Sequence, residues 1–257
     1  MVEALAVPGR NPLLAPLRAR LAEHEVELVA WDPVSCFPLP DPAAPHADLY
    51  LLKGDDPAVL SAAGCLADTG APCLNSFEAT AAAADKARTL ARMARAGLPV
   101  PASQVIGERD RLAALLEAAP RFVKPIRGAH GDGAERLEAG QAHRAGPPPW
   151  LVQEPVEGTG RDLKVYGVGE KLAVRRMRFR AGTVDMPREP APEHVAELRP
   201  LALAAAAAAE LDCYGADFLL SPVGPVLVDV NAFPGYRTVD EAPTWLAAAV
   251  LRCLDNG

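Results

Sequence analysis

The sequence predicts an α/β (α+β) fold of three lobes, and three observations carry that expectation. Apolar strand-like runs alternate with helical stretches over the first 84 residues, which is the pattern of a small parallel sheet. Short strand signals around a glycine-rich segment dominate the middle of the chain. From about Trp150 onward, alternating strands joined by tight turns point to an antiparallel sheet with helices on it. The expected lobes are therefore 1–84, 85–150 and 151–257.

In chain order, residues 2–7 form an apolar strand. Asn11-Pro12 supplies an N-cap and a first-position proline, which opens a helix to about Glu25. Val26–Trp31 is the second strand and Asp48–Lys53 the third. Asp56-Pro57 starts a helix that runs to Asp68 and ends at Gly70; Ala71–Leu74 is the next strand. Asn75-Ser76 caps a long helical region through Ala96. Leu98–Val105 is extended, Ala113–Ala119 is a helix, and Arg121–Ile126 and Ala134–Leu137 are strands on either side of a glycine-rich loop. Trp150–Glu154, Leu163–Val168 and Lys171–Phe179 are strands, the last two joined at Gly169-Glu170. Residues 181–193 are an exposed loop, and helices at 195–211 and 243–254 flank a hairpin.

Composition narrows the function. The chain has 257 residues, half of them apolar, with a net charge of −7, which speaks against a general binder of nucleic acid or anionic membranes. Cysteines 36, 65, 73, 213 and 253 are scattered and lack a C-x-x-C pair, a pattern of a reducing compartment. There is no signal-like start and no apolar run of the ~18 residues a membrane span needs, so a cytoplasmic location is expected. No G-x-G-x-x-G follows the first strand, and no G-K-[ST] follows the later glycines.

The most informative segment is the hairpin Ala216-Asp217-Phe218 … Val228-Asp229-Val230-Asn231. Centred on Val223, it sets Asp217 opposite Asp229, with Asn231 on the same face. Facing carboxylates repel, and a hard divalent cation removes that cost; two Asp and one Asn oxygen suit Mg²⁺. The alternative is two solvated acids. Lys124 ends a strand just before Gly128, Gly131 and Gly133, an arrangement that can cradle phosphate or serve as an ordinary hairpin turn. Gln153-Glu154-Pro155-Val156-Glu157 leaves a strand and could offer its backbone to a nucleobase, or be a plain loop. Asp162, Lys164 and Tyr166 share one strand face; Arg176, Arg178 and Arg180 share a face of the next strand, with Arg175 opposite. Those arginines fit a solvated edge or the binding of an anion.

Together these segments resemble the ATP-grasp proteins. Asn75-Ser76 … Asp85-Lys86, Val123-Lys124-Pro125 with its glycine loop, Val152-Gln153-Glu154, Asp162–Gly169, Gly215-Ala216-Asp217 and Val228–Gly235 occur in the family's order and at fitting spacing. The resemblance implies a βαβ lobe followed by two α+β lobes that enclose Mg-ATP. It implies phosphate contacts from Lys86 and Lys124 and a lid loop with Gly128, His130 and Gly131. It further implies an adenine hinge at Gln153, Glu154, Pro155 and Val156, and Glu157 near the ribose. Lys164 would hold the γ-phosphoryl group, Arg176 or Arg178 the transferred charge, and Asp217, Asp229 and Asn231 would ligate Mg²⁺, with Mn²⁺ as a substitute. Lys53, His130 and Arg237 are candidates for the second substrate.

Two branches are similar. RimK-like carboxylate–amine ligases make amides through an acyl phosphate; inositol trisphosphate 5/6-kinases phosphorylate a hydroxyl. Asp229 as the middle ligand matches the kinases. The few basic residues available suit one or two carboxylates better than a polyphosphate. The expectation is thus a ligase acting on a small carboxylate or peptide with ATP, with a kinase as the alternative, no nucleic-acid or membrane partner, and the oligomeric state open.

Overall fold

A computed structural model describes residues 1–5, 12–34, 47–128, 133–143, 146–158, 162–177 and 189–255, arranged around three sheets. The first sheet is parallel and contains β1 (Val2–Leu5), β2 (Leu28–Trp31), β3 (Leu49–Leu52) and β4 (Cys73–Leu74) in the order β2-β1-β3-β4. β3 is buried at all four positions, because both faces of a parallel sheet are covered; this explains its unbroken apolar run. Leu49 and Leu51 pack toward α1 (Leu14–Ala22), whereas Tyr50 and Leu52 pack toward α2 (Pro57–Asp68). α2 starts as its sequence dictates: the Asp56 carboxylate accepts from the Ala58 amide at 2.8 Å, with Pro57 in the first turn. α1 differs from expectation. It begins at Leu14 with no side-chain cap, Asn11 lies outside the described residues, and the helix stops at Ala22, before the left-handed Glu25.

The expected single helix over 75–96 is two helices, α3 (Phe77–Ala83) and α4 (Lys86–Arg95). Asp85 is the break. Its backbone is extended and its carboxylate caps the Arg88 amide at 3.0 Å, so a second N-terminus forms inside the run. Lys86 therefore opens α4, and its amide donates to Ile126 O at 3.0 Å.

The middle sheet is antiparallel. β5 (Ser103–Ile106), α5 (Arg109–Ala118), β6 (Arg121–Pro125), β7 (Glu135–Leu137) and β8 (Trp150–Gln153) give the order β5-β8-β6-β7. α5 packs Leu112 and Leu116 on Val123, Trp150 and Val152. β8 starts at the expected lobe boundary but pairs with β5 and β6, so this sheet runs through Gln153.

The third sheet holds β9 (Asp162–Val168), β10 (Lys171–Met177), β11 (Glu189–Pro190), β12 (Cys213–Ser221) and β13 (Gly224–Ala232), ordered β11-β10-β9-β12-β13 and antiparallel throughout. β11 is a short edge strand inside the expected 181–193 loop; residues 181–188 lie outside the described set. One face is covered by α6 (Val195–Ala209) with help from α3 and α4. α7 (Ala242–Asp255) returns to pack on α1 and the first sheet. Buried Asn75 ties the first sheet to the third: its amide donates to Cys213 O at 2.9 Å and its carbonyl accepts from Asp212 N and Cys213 N at 2.9 and 2.8 Å. No helix among the described residues is long and apolar enough to cross a membrane.

The β12–β13 hairpin reaches the expected pairing by a different route. Ser221 pairs with Gly224, so the turn is the two residues Pro222 and Val223. That register alone would set Asp217 against Val228. A β-bulge between Asp217 and Phe218 adds one residue, and Asp217 faces Asp229. Val228 is left out of the ladder, and its carbonyl accepts from Lys124 Nζ at 3.2 Å.

Candidate active site

The register of the third sheet sets four charged residues in one transverse row. Arg175 of β10 pairs with Lys164 of β9, Lys164 with Asp217 of β12, and Asp217 with Asp229 of β13. Directly paired residues project to the same face. The row therefore runs from two cations to two carboxylates, with Asn231 two positions beyond Asp229 on that face. Lys164 Nζ donates to both Asp217 oxygens, at 2.8 and 3.0 Å. Burial pulls the Lys164 pKa down, but Asp217, with Tyr166 and Asp229, outweighs it and the net shift is upward. The Asp229 pKa is also raised above that of an ordinary carboxylate: burial pushes it up, opposed by Lys86, Lys124 and Lys164 and assisted by Asp217. It forms no ion pair among the described residues, and its Oδ1 accepts only from the Val230 amide, at 3.1 Å.

That donor set fits a divalent cation. Asp217 is already neutralised by Lys164, while Asp229 is a partly buried carboxylate that makes no direct ion pair among the described residues, with Asn231 two positions along the same strand. Hard oxygen ligands of this kind suit Mg²⁺.

The middle sheet presents a complementary face. Lys124, with side-chain burial leaving the residue 8% exposed, reaches across to Val228 O on β13. Burial lowers its pKa, with Asp229 and Asp217 opposing and Lys86 reinforcing. Lys86 Nζ donates to Gly128 O at the start of the glycine loop. Gln153 is buried and its amide donates to Ser103 Oγ at 3.0 Å. The Glu154 amide is used by Ala102 O at 3.0 Å, which leaves the half-buried Pro155 and Val156 and exposed Glu157 as the open part of the expected hinge. His130 and Gly131 lie outside the described residues, as does Arg178.

Arg176 does not join the site. It pairs with Leu163, projects to the face covered by α6, and forms an ion pair with Glu193. The arginine on the site face is Arg175, which sequence reasoning passed over. The signal was available: a turn at Gly169-Glu170 sets Val168 against Lys171, and counting back from it sets Arg175 against Lys164.

The segment that leaves β13 crosses the site face from β13 toward β10. Phe233 N bonds Cys213 O at 2.8 Å, Tyr236 Oη bonds Gly167 O at 2.7 Å, and Arg175 Nε donates to Thr238 O at 2.8 Å. Phe233, Tyr236 and Thr238 all have positive φ, so tertiary contacts hold this crossing in place. Lys53, at the end of β3, donates to Phe233 O at 3.0 Å and lies 5.6 Å from the centre of that ring. Burial lowers its pKa to about 8; Asp55 opposes the shift and Arg237 adds to it.

A pH effect follows from Lys53. Its folded pKa lies below the 10.5 of an unfolded lysine, so between about 8 and 10.5 the unfolded chain binds the extra proton and stability rises with pH. Relative to Lys53→Met, the wild type gains on the order of 3 kcal/mol in denaturant unfolding between about pH 7 and pH 10.5. A difference that stays flat over this range would contradict the burial of the charge.

Comparison with known proteins agrees with this architecture. The model of the RimK-like ATP-grasp domain matches residues 83–253. A protein of Sodalis glossinidius named "Probable alpha-L-glutamate ligase" is 30% identical over 274 aligned positions, covering 93% of this chain and 92% of that protein. A ribosomal protein bS6–L-glutamate ligase of Escherichia fergusonii is 28% identical, over 85% of this chain and 82% of its own length. Among solved structures, a RimK domain ATP-grasp protein of Sphaerobacter thermophilus superposes with a TM-score of 0.78 at 21% identity, covering 98% of both chains. The D-cycloserine synthetase DcsG superposes with a TM-score of 0.76 at 18% identity, over 99% of this chain and 100% of its own.

Proposed function

The chain belongs to the RimK-like ATP-grasp domain family and is an ATP-dependent carboxylate–amine ligase, and on that premise we propose which residues carry the reaction and what it acts on. The substrates are Mg-ATP, a small carboxylate or the carboxyl group of a peptide, and an amine. The names of the relatives, which are glutamate ligases, favour an amino acid as one of the two joined groups. The kinase alternative finds no support among these relatives.

In this reading Lys86 and Lys124 bind phosphate oxygens, with Lys86 positioned beside Gly128. Gln153 to Val156 receive the adenine, and Glu157 faces the ribose. Asp217, Asp229 and Asn231 hold Mg²⁺, or Mn²⁺ in its place, which when bound neutralises triphosphate charge. Lys164 sits beside the carboxylates and neutralises the transferred phosphoryl group. The substrate carboxylate attacks the γ-phosphorus in line, and the bond to ADP breaks with its electron pair leaving on ADP. The amine then attacks the carbonyl carbon of the acyl phosphate, and inorganic phosphate departs.

The observation that carries this reading is the transverse row, in which a partly buried Asp229, with no direct ion pair among the described residues, faces a lysine-neutralised Asp217. Hydroxylamine tests it. Incubation with Mg-ATP, hydroxylamine and a panel of amino acids and peptides is expected to give ADP and a hydroxamate only when a carboxylate is present. A phosphorylated alcohol with no hydroxamate would refute the ligase chemistry.

A further inference from the structure

We propose that Arg175 anchors the carboxylate that becomes activated, a role that rests on the ligase reading above. The order of the row carries the inference: Asp229, Asp217, Lys164, Arg175, each directly paired with the next. Paired residues on one face have Cβ atoms about 5 Å apart, so successive members of the row touch successive parts of one extended reactant array. Phosphoryl transfer needs leaving oxygen, phosphorus and attacking oxygen roughly in line. With the triphosphate held at the carboxylate end and the transferred group over Lys164, the attacking oxygen belongs beyond Lys164. The side chain there is Arg175.

The state of the side chain agrees with that position. Arg175 forms no ion pair among the described residues, although Arg176, its neighbour on the opposite face, is paired with Glu193. Its Nε and Nη1 donate to the carbonyls of Thr238 and Val174, at 2.8 and 3.1 Å. Those bonds fix the guanidinium plane and use no charge. An oriented guanidinium with no ion pair among the described residues, in a protein of net charge −7, is a fitted receptor for a carboxylate, which its planar fork can grip through two oxygens. Thr238 belongs to the same crossing segment whose Phe233 carbonyl is held by Lys53, so the segment forms a ledge along the row and Arg175 stands at its far end. During the transfer one carboxylate oxygen bonds to the γ-phosphorus. The other stays on Arg175 and becomes the carbonyl oxygen of the acyl phosphate, where the guanidinium also steadies the charge that develops when the amine attacks.

The test uses purified Arg175→Gln and Arg175→Lys, with Lys171→Ala on the exposed start of the same strand as a control. The hydroxamate assay is run with the most active carboxylate of the panel, and KM is measured separately for that carboxylate and for Mg-ATP. The expected result is a roughly 10–100-fold rise in the carboxylate KM for Arg175→Gln, a smaller rise for Arg175→Lys, and an unchanged KM for Mg-ATP. An unchanged carboxylate KM in Arg175→Gln, with active wild type, would overturn the anchor and leave the ligase reading standing. An equal rise in both KM values would also overturn it, because a purely structural bond to Thr238 would disturb the whole site. Absence of any hydroxamate from the wild type would overturn the ligase reading and the anchor together.

Discussion

Replacing Asp229 by alanine is expected to lower Mg-ATP turnover by roughly 10³-fold or more while leaving the apo protein at least as stable as the wild type. The two halves of that result have one cause. Asp229 lies directly opposite Asp217, it is partly buried, and burial raises its pKa, so without a cation the carboxylate is a cost to the fold. A cation turns the same carboxylate into a ligand. Thermal unfolding separates the effects: Mg²⁺ raises the Tm of the wild type by mass action and fails to raise that of Asp229→Ala. A variant that keeps full turnover, or one that loses activity only because it unfolds, would remove the metal site from the account.

Replacing Gly167 by alanine is expected to cost about 3 kcal/mol of stability, the largest effect of a single added methyl among the described glycines. Gly167 pairs directly with Tyr214 on the face covered by α6. A Cβ at Gly167 would lie 2.1 Å from Tyr214 Cζ and 2.5 Å from both Cε2 and Oη. The ring cannot swing away, since Tyr214 is fully buried and its hydroxyl donates to Gly169 O at 3.3 Å. The strand cannot easily retreat either, because Tyr236 Oη holds the Gly167 carbonyl from the opposite side. Lys164 lies three residues along the same strand, so the strain reaches the row and part of the activity goes with it. Urea unfolding measures the loss, and Gly167→Ala combined with Tyr214→Leu recovers much of it if the ring is the obstacle. Additive losses would place the cause elsewhere.

Much of this was legible in the sequence because local chemistry and tertiary structure agree. The Asp56-Pro57 cap defines α2, and the turn at Gly169-Glu170 defines the β9–β10 hairpin. The facing of Asp217 and Asp229 was legible for a reason that alternation alone does not contain: a tight turn and a bulge cancel to give the register that a longer turn would have given. Other features depend on tertiary contacts. The division of the 75–96 helix at Asp85 is a cap in the middle of a helix-favouring run, and it points Lys86 at the glycine loop. The exchange of Arg176 for Arg175 shows the limit of reading one strand at a time. Alternation sorts the arginines into two faces, but only pairing with β9 says which face carries Lys164. The contribution of Lys53 from the first sheet to the crossing segment joins residues 180 positions apart, and no local pattern announces it.

The most direct test of the central claim follows oxygen. The carboxylate substrate identified in the hydroxylamine panel is labelled with ¹⁸O in both carboxyl oxygens and turned over with Mg-ATP and an amine, and the released inorganic phosphate is analysed by mass. Activation through an acyl phosphate predicts one ¹⁸O in each phosphate released and one kept in the amide. Unlabelled phosphate, or phosphate retained on an alcohol of the product, would contradict the account.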